Sequence, residues 1–560
     1  MNTRARSLLP HAPLSASCWS FLGLVALCVA CADQPKAPNR GASHPNGGRA
    51  GAVAGDEVGG SGGSGASSDD VGGAPSAGEA GAGNDAGTGN DAGTENDAGS
   101  GNAGGAAGEG PATTVVKVSY ELAHQPIDGF GIATSWAVIP PAARLDAFFS
   151  VSKGAGLSIL RNRIPFRERP GYNDNFMGAG NYNFTSFGTG ADAYKTFSLN
   201  WNNWDLAATR MLIAVLKANP DYQVPTYFST PWTPPNNATS RWKLNVADYV
   251  NAPDVGGYLD PAHYQDYADV LADYVLGFES QMGAPLAALS LQNEPNYQVT
   301  YESADWSAEQ FHAFLAVLRS EFRKKGVFSA LPKFTIMAPE AANLLEDLIL
   351  PSLADSETAP LIGIVGAHQY EFGPWNVDSY APKPLSASLA AGKKVWLTEW
   401  NTSAFNAEMP LSSALLLARL IQADLTSASV SAYVHWWYDD LVDSAGVPNK
   451  NLWALAHFSR FVRPGAVRVE APKTVGDDLL LAAFKDAAGS TLTLVAINRG
   501  WSNTTFALEL DAGTLGNVDC YRTSASEDLA HLGSTASSGR FANLTAPAQS
   551  ISTFVVPVLP

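Results

Sequence analysis

The chain has 560 residues, a formal net charge of −18 and 52 glycines, of which 24 fall between residues 41 and 110. An acidic balance with scattered basic residues argues against binding a nucleic-acid backbone or an anionic lipid surface. From 32 to 110 there is no Phe, Trp, Tyr, Leu, Ile or Met, so this stretch has nothing with which to offset the entropy of ordering itself.

In chain order, Arg4 and Arg6 precede an apolar run at 21–30, too short for a bilayer span and right for the apolar region of a secretory signal. The run ends Cys28-Val29-Ala30-Cys31. Small residues leading into a cysteine resemble the bacterial lipobox, although Cys28 stands where Leu is usual. Cys31 is the candidate lipidation site, closing a signal segment at 1–31, with simple cleavage and secretion as the alternative. Residues 32–111 are expected to be a disordered Gly/Ala/Ser/Asp linker, a coil with a reach of roughly 50 Å. Removing the export segment leaves Cys520 as the one cysteine, which excludes an intramolecular disulfide or a cysteine metal site in the mature body.

The remaining ~450 residues exceed the size at which one core stops growing, so a large and a smaller domain are expected. A strand at 112–122 opens this region and is expected to add an edge to a later sandwich. Short apolar runs at 127–133, 157–164, 223–229, 286–292, 334–338, 362–368, 394–398 and 431–437 then alternate with helical patterns such as 204–218, 262–282, 307–325 and 411–428. Eight strand–helix units predict an α/β fold, a (β/α)8 TIM barrel over 123–463. After Arg463-Pro464-Gly465 the runs become short and alternating, at 467–471, 479–484, 491–498, 505–510 and 551–556. These predict a side antiparallel β-sandwich domain at 464–560.

Working residues of such barrels stand at the C-terminal ends of the strands. Strand two ends near Arg161 and Arg163, three near Pro231-Trp232, four at Asn293-Glu294-Pro295, six at His368-Gln369-Tyr370, seven at Glu399-Trp400 and eight at Trp436-Trp437-Tyr438. Strands four and seven lie nearly opposite in a closed barrel, so Glu294 and Glu399 can face each other. Two facing carboxyl groups are what glycosidic hydrolysis requires, one protonated to donate to the leaving oxygen and one ionised to attack or to support an oxocarbenium ion. Asn293 is placed to hydrogen-bond a sugar hydroxyl, Arg161 to keep Glu399 ionised by pairing, and Trp232 and Trp436 to offer flat faces to sugar rings. Each of these residues alone is more often ordinary surface or core; the conjunction at the right strand ends is what points to chemistry. Gly129-Phe130-Gly131 is too little of a dinucleotide fingerprint to carry weight, and no HExxH or phosphate-loop motif occurs. No metal or cofactor is expected.

These residues resemble glycoside hydrolase family 30. The resemblance rests on Asp128-Gly129-Phe130-Gly131, Ser290-Leu291-Gln292-Asn293-Glu294-Pro295, Gly366-Ala367-His368-Gln369-Tyr370, Val395-Trp396-Leu397-Thr398-Glu399 and the run from Ala456 to Gly465. It is strongest to the bacterial xylan-active members and spans about 115 to the C-terminus. It implies that Glu294 is the acid/base and Glu399 the nucleophile of a retaining O-glycosyl hydrolase, with Trp232, Asn293, His368, Tyr370 and Trp436 shaping the sugar site beside the cleaved bond. Where glucuronoxylanases of the family follow Trp-Trp-Tyr with a glucuronate-reading arginine, Tyr438 here is followed by Asp439-Asp440-Leu441. The expectation is therefore an endo-β-1,4-xylanase without glucuronate dependence. The alternatives are a β-1,6-galactanase or β-1,6-glucanase on the same fold, and a non-catalytic glycan-binding surface lipoprotein. A monomer is expected, with a polysaccharide as substrate and membrane contact through a lipid anchor alone.

Overall fold

The computed structural model describes residues 114–166, 199–236, 241–370, 379–401 and 410–559. The signal segment, Cys31 and the linker lie outside the described residues. Pro111–Pro560 forms one compact unit.

Eight parallel strands close into a barrel in chain order: β1 Gly129–Ala133, β2 Ile159–Ile164, β3 Thr226–Pro231, β4 Ala288–Ser290, β5 Thr335–Met337, β6 Ile362–His368, β7 Lys394–Glu399 and β8 Ala432–His435. Closure runs through Ala432 opposite Gly129 and His435 opposite Ile132. All eight lie within or overlap the runs anticipated from the sequence. Their inward side chains, among them Ile159, Phe228, Met337, Ile364, Trp396 and Val434, form a buried plug in the barrel, a packed core rather than a pore. The glycines of the Asp-Gly-Phe-Gly motif serve this packing. A Cβ on Gly131 would sit 2.2 Å from the Ile159 carbonyl oxygen, and Gly129 has a φ of 137°, a backbone that side chains with a Cβ rarely adopt.

The longer helices are α1 Trp204–Ala218, α2 Tyr264–Met282, α3 Ala308–Lys324, α4 Pro410–Ser427 and α5 Lys450–Ser459. Their starts are written in the chain. Asn203 accepts from the Asp205 N–H at the head of α1, and Ser307 with Gln310 forms a reciprocal capping box at the head of α3, each satisfying a donor the helix cannot pair internally. Among the described residues no helix is long and apolar enough to cross a membrane.

The second element is a mostly antiparallel sheet curled into a sandwich. Leu479–Lys485 and Thr491–Asn498 are buried on both faces: Phe484, Val495 and Ile497 join the barrel-side core, while Leu481, Leu492 and Leu494 join the sandwich's own. Their near-continuous apolar runs are the result. His457 of α5, fully buried, ties the two parts together through the Thr553 and Thr523 hydroxyls at 2.8 and 2.9 Å.

The opening strand differs from expectation. It runs Thr114–Pro126, and it is no edge. It lies inside the sheet, antiparallel to Val467–Glu470 on one side and parallel to Thr504–Leu510 on the other. The reason is apolar: Val116, Val118 and Tyr120 are buried in the sandwich core, so this short alternating segment needs neighbours on both sides.

Candidate active site

The strand ends bring the expected side chains to one mouth. Arg161, fully buried on β2, is the hub. Its Nη1 stands 2.5 Å from Glu399 Oε2, its Nη2 donates to Asn293 Oδ1 at 2.6 Å, and its Nε lies 3.1 Å from Glu340 Oε1. The guanidinium sits over the Trp232 ring at 4.6 Å and the Trp436 ring at 5.6 Å, within the reach of cation–π attraction. Glu399 closes β7, and its second oxygen accepts from the Tyr370 hydroxyl at 2.8 Å. His368 closes β6 with Nδ1 3.0 Å from Glu294 Oε1 and Nε2 3.8 Å from Glu399 Oε2. The Tyr301 hydroxyl approaches Glu294 Oε2 at 3.4 Å.

Glu294 follows β4 in left-handed backbone, φ 46°, and its N–H donates to the Glu340 carbonyl at 3.0 Å. Asn293 is anchored likewise, its N–H on the Pro231 carbonyl at 2.8 Å. A carboxylate oxygen of Glu294, one of Glu399 and a ring nitrogen of His368 all lie within 4.8 Å of one another. The two carboxyl groups thus approach each other across one mouth, as a pair flanking a glycosidic bond must.

The electrostatics follow from burial and partners. Burial opposes a charged imidazole at His368, yet Glu399, Glu294 and Glu340 lift it to about 9. Burial also opposes a charged Glu340, yet Arg161 and His368 hold it down to about 2. At Glu399 the balance falls the other way: burial, helped by the charge of Glu294, raises the carboxyl above its ordinary range despite His368 and Arg161. Arg161 pairs with Glu399 as expected and favours its charged form, although that pull is smaller than the push from loss of water. Tyr370 is pushed well above its ordinary value by burial and by Glu399, so it stays a donor.

The eight catalytic and substrate-binding residues named from the sequence lie in or beside this cluster; the ninth site residue, Cys31, lies outside the described residues. Three features were missed or misread. Glu340, after β5, is a third buried carboxylate; its signal was a Pro-Glu pair behind an apolar run, the same texture as Asn-Glu-Pro. Trp136 packs edge-on against Trp232, with centroids 5.1 Å apart, and beneath Arg163 at 4.7 Å. It sits in a left-handed turn whose N–H groups, from Trp136 and Ala137, reach the Asp205 carboxylate at 3.0 and 2.9 Å, and nothing local in the sequence marks it. Of the two acids after Tyr438, Asp440 turns inward onto His435 Nε2 at 2.6 Å and is nearly buried, while Asp439 is exposed. The expected pair of uronate-repelling charges is thus one exposed acid and one tied acid.

No family model matches the chain. It is 30% identical over 335 residues to the protein named glucuronoxylanase XynC of Bacillus subtilis strain 168, an alignment covering 59% of this chain and 73% of that one. Among solved structures it is similar to a glycoside hydrolase family 30 subfamily 8 xylanase from Clostridium acetobutylicum, with TM-score 0.62, 25% identity, and coverage of 79% of this chain and 99% of the other. A family 30 endoxylanase from Clostridium papyrosolvens aligns with TM-score 0.61 at 24% identity, over 80% of this chain and all of that one.

Proposed function

The chain belongs to glycoside hydrolase family 30 and is a glycosidase, and from that premise we propose that it cleaves β-linked xylan by double displacement, without depending on glucuronate branches. Glu399 attacks the anomeric carbon while Glu294 protonates the leaving oxygen; Glu294 then takes a proton from the water that frees the sugar from Glu399. The observation that carries this reading is the hold on Glu399, one oxygen on Arg161 and the other on Tyr370, in a mouth where Glu294 stands close by. A nucleophile fixed at both oxygens is oriented for attack and cannot wander into solvent. Trp436 supplies a face for the sugar, Asn293 a hydroxyl contact, and His368 a charged neighbour that positions Glu294; Trp232, 2% exposed with Arg161 over its ring, backs the guanidinium and not the sugar face expected of it.

Indifference to glucuronate is supported by the loop after β8, where Asp439 is exposed at the place where the resemblance would put a uronate-reading arginine. Export with a lipid on Cys31, a flexible linker at 32–111, a barrel at 123–463, a sandwich at 464–560 and a monomeric state complete the proposal. The polymer cannot enter a cell, so an enzyme for it belongs outside. Product chromatography on debranched xylan, glucuronoxylan, β-1,6-galactan and β-1,6-glucan tests the reading. Release of short xylo-oligosaccharides with retained anomeric configuration supports it; strict preference for glucuronoxylan, products from a β-1,6 glycan alone, or no product at all would overturn it.

A further inference from the structure

Glu340 takes no part in the two displacement steps, yet it is buried as completely as any residue in the mouth, at 0% exposure. A carboxylate removed from water survives only where charge and hydrogen bonds compensate it, so its neighbours describe its task. From β2, Arg161 Nε lies 3.1 Å from Oε1. From β3, the Thr230 hydroxyl donates to Oε2 at 2.9 Å. From β4, the Ser290 hydroxyl faces it, and from β6, His368 Nε2 stands 3.9 Å away. Glu399 on β7 contacts both of these cations, and Glu294 after β4 contacts His368. Glu340 also fixes backbone: in left-handed conformation itself, φ 59°, it offers its carbonyl to the Glu294 N–H.

The negative charge of the site moves during the reaction. When a Glu399 oxygen bonds to the anomeric carbon and the glycosidic bond breaks, the Glu294 proton leaves with the departing sugar, so the charge that Glu399 gives up in the ester reappears on the Glu294 carboxylate. Arg161 and His368 keep theirs. We propose that Glu340 is the standing counter-ion of the site, a positioning residue that divides Arg161 between two carboxylates and remains its paired carboxylate while Glu399 is covalently occupied and the charge has passed to Glu294 beside His368. Before attack, it prevents Arg161 from pairing with Glu399 alone, which would make that oxygen a poorer nucleophile. After attack, it keeps Arg161 and His368 in place for the return step. Its own carboxyl is held to about 2, so it remains charged at every pH at which the enzyme would work. The proposal rests on the double-displacement reading above.

The test is Glu340→Gln, which preserves shape, the Thr230 contact and the backbone carbonyl while removing the charge. Three results are expected. The kcat on xylan falls on the order of tenfold or more with KM little changed; the acid limb of the kcat/KM profile, set by Glu399, moves down by roughly one pH unit because a nearby negative charge is gone; and the His368 imidazole, followed by NMR on selectively labelled protein, titrates well below about 9. Glu340→Asp, which keeps the charge, restores the position of the limb even where activity is incomplete. Lower activity with the limb and the imidazole titration both unmoved would reduce Glu340 to a structural part and overturn the proposal, as would an unaltered kcat. Should Glu340→Gln fail to fold, Glu340→Asp decides: a displaced limb there overturns it. The imidazole titration needs no substrate, so failure of the xylanase reading is distinguishable from failure of the counter-ion.

Discussion

The Tyr370 hydroxyl donates to Glu399 Oε1 at 2.8 Å from a ring set edge-on to the His368 imidazole, with centroids 6.0 Å apart. This contact holds the oxygen that Arg161 does not. A hydrogen bond to a charged acceptor is worth about 1.5–3 kcal/mol, so Tyr370→Phe is expected to lower kcat by roughly 10- to 100-fold. KM should change little, because the bond positions the nucleophile rather than the substrate. Steady-state kinetics on xylan would check this, and a rise in KM at constant kcat would move Tyr370 to a binding role.

Glu294→Gln keeps shape and removes the proton, and is expected to cost roughly 10²–10⁴ in kcat on xylan. On an aryl xyloside with a nitrophenolate leaving group, which departs without protonation, the first step should be largely spared and a burst of phenol should appear before slow turnover. Glu399→Ala should show no burst on either substrate. Circular dichroism of both variants is expected to match the parent.

The loop after β8 predicts a separable pair of effects. Asp439→Asn should raise activity on glucuronoxylan relative to debranched xylan by a few-fold, since it removes an exposed charge. Asp440→Asn should leave that ratio unchanged and instead lower stability, since it breaks the buried pair with His435. Equal ratios in parent and Asp439→Asn would remove the loop from substrate choice.

Two histidines predict opposite pH trends in stability. His368 is lifted to about 9 from 6.5, so the folded state binds its proton more tightly than the unfolded chain; its contribution is complete below pH 6.5 and is lost as pH rises through about 9. His457 is pushed by burial down to about 3, so it stays neutral in the fold while the unfolded chain takes up a proton below pH 6.5, and stability declines from there to about pH 3 at up to roughly 1.4 kcal/mol per pH unit. Chemical denaturation across pH should show His368→Asn flattening the alkaline decline and His457→Asn flattening the acid one.

The barrel was legible because each of its strands is buried on both faces, which writes a continuous apolar run into the chain, and because helical patterns such as 204–218 and 307–325 alternate with those runs. Asn293, Glu294 and Glu399 were legible for the same reason, since polar residues directly after such runs stand out. The sandwich strands Val518–Thr523 and Ala530–Thr535 were not. They are largely half-exposed or exposed, so no alternation between buried and solvent faces shapes their composition. Trp136 and the inward turn of Asp440 depend on partners distant in sequence or on a local turn, and neither leaves a periodic trace. The net upward push on Glu399 is a sum of burial against two cations, which no spacing of residues encodes.

Thr114–Pro126 is the first strand of the folded body to leave the ribosome, and its two neighbours, Val467–Glu470 and Thr504–Leu510, come about 340 residues later or more. At synthesis rates of about 5–20 residues per second, Val116, Val118 and Tyr120 wait roughly 20 to 70 s without a partner. An apolar strand left open that long is an invitation to pair with another chain. Assembly of this protein is therefore gated from its far end. The barrel can close on its own strands, whereas the sandwich that receives the opening strand is sealed only once the last strands are present, so a chain shortened at its C-terminus should aggregate through its beginning.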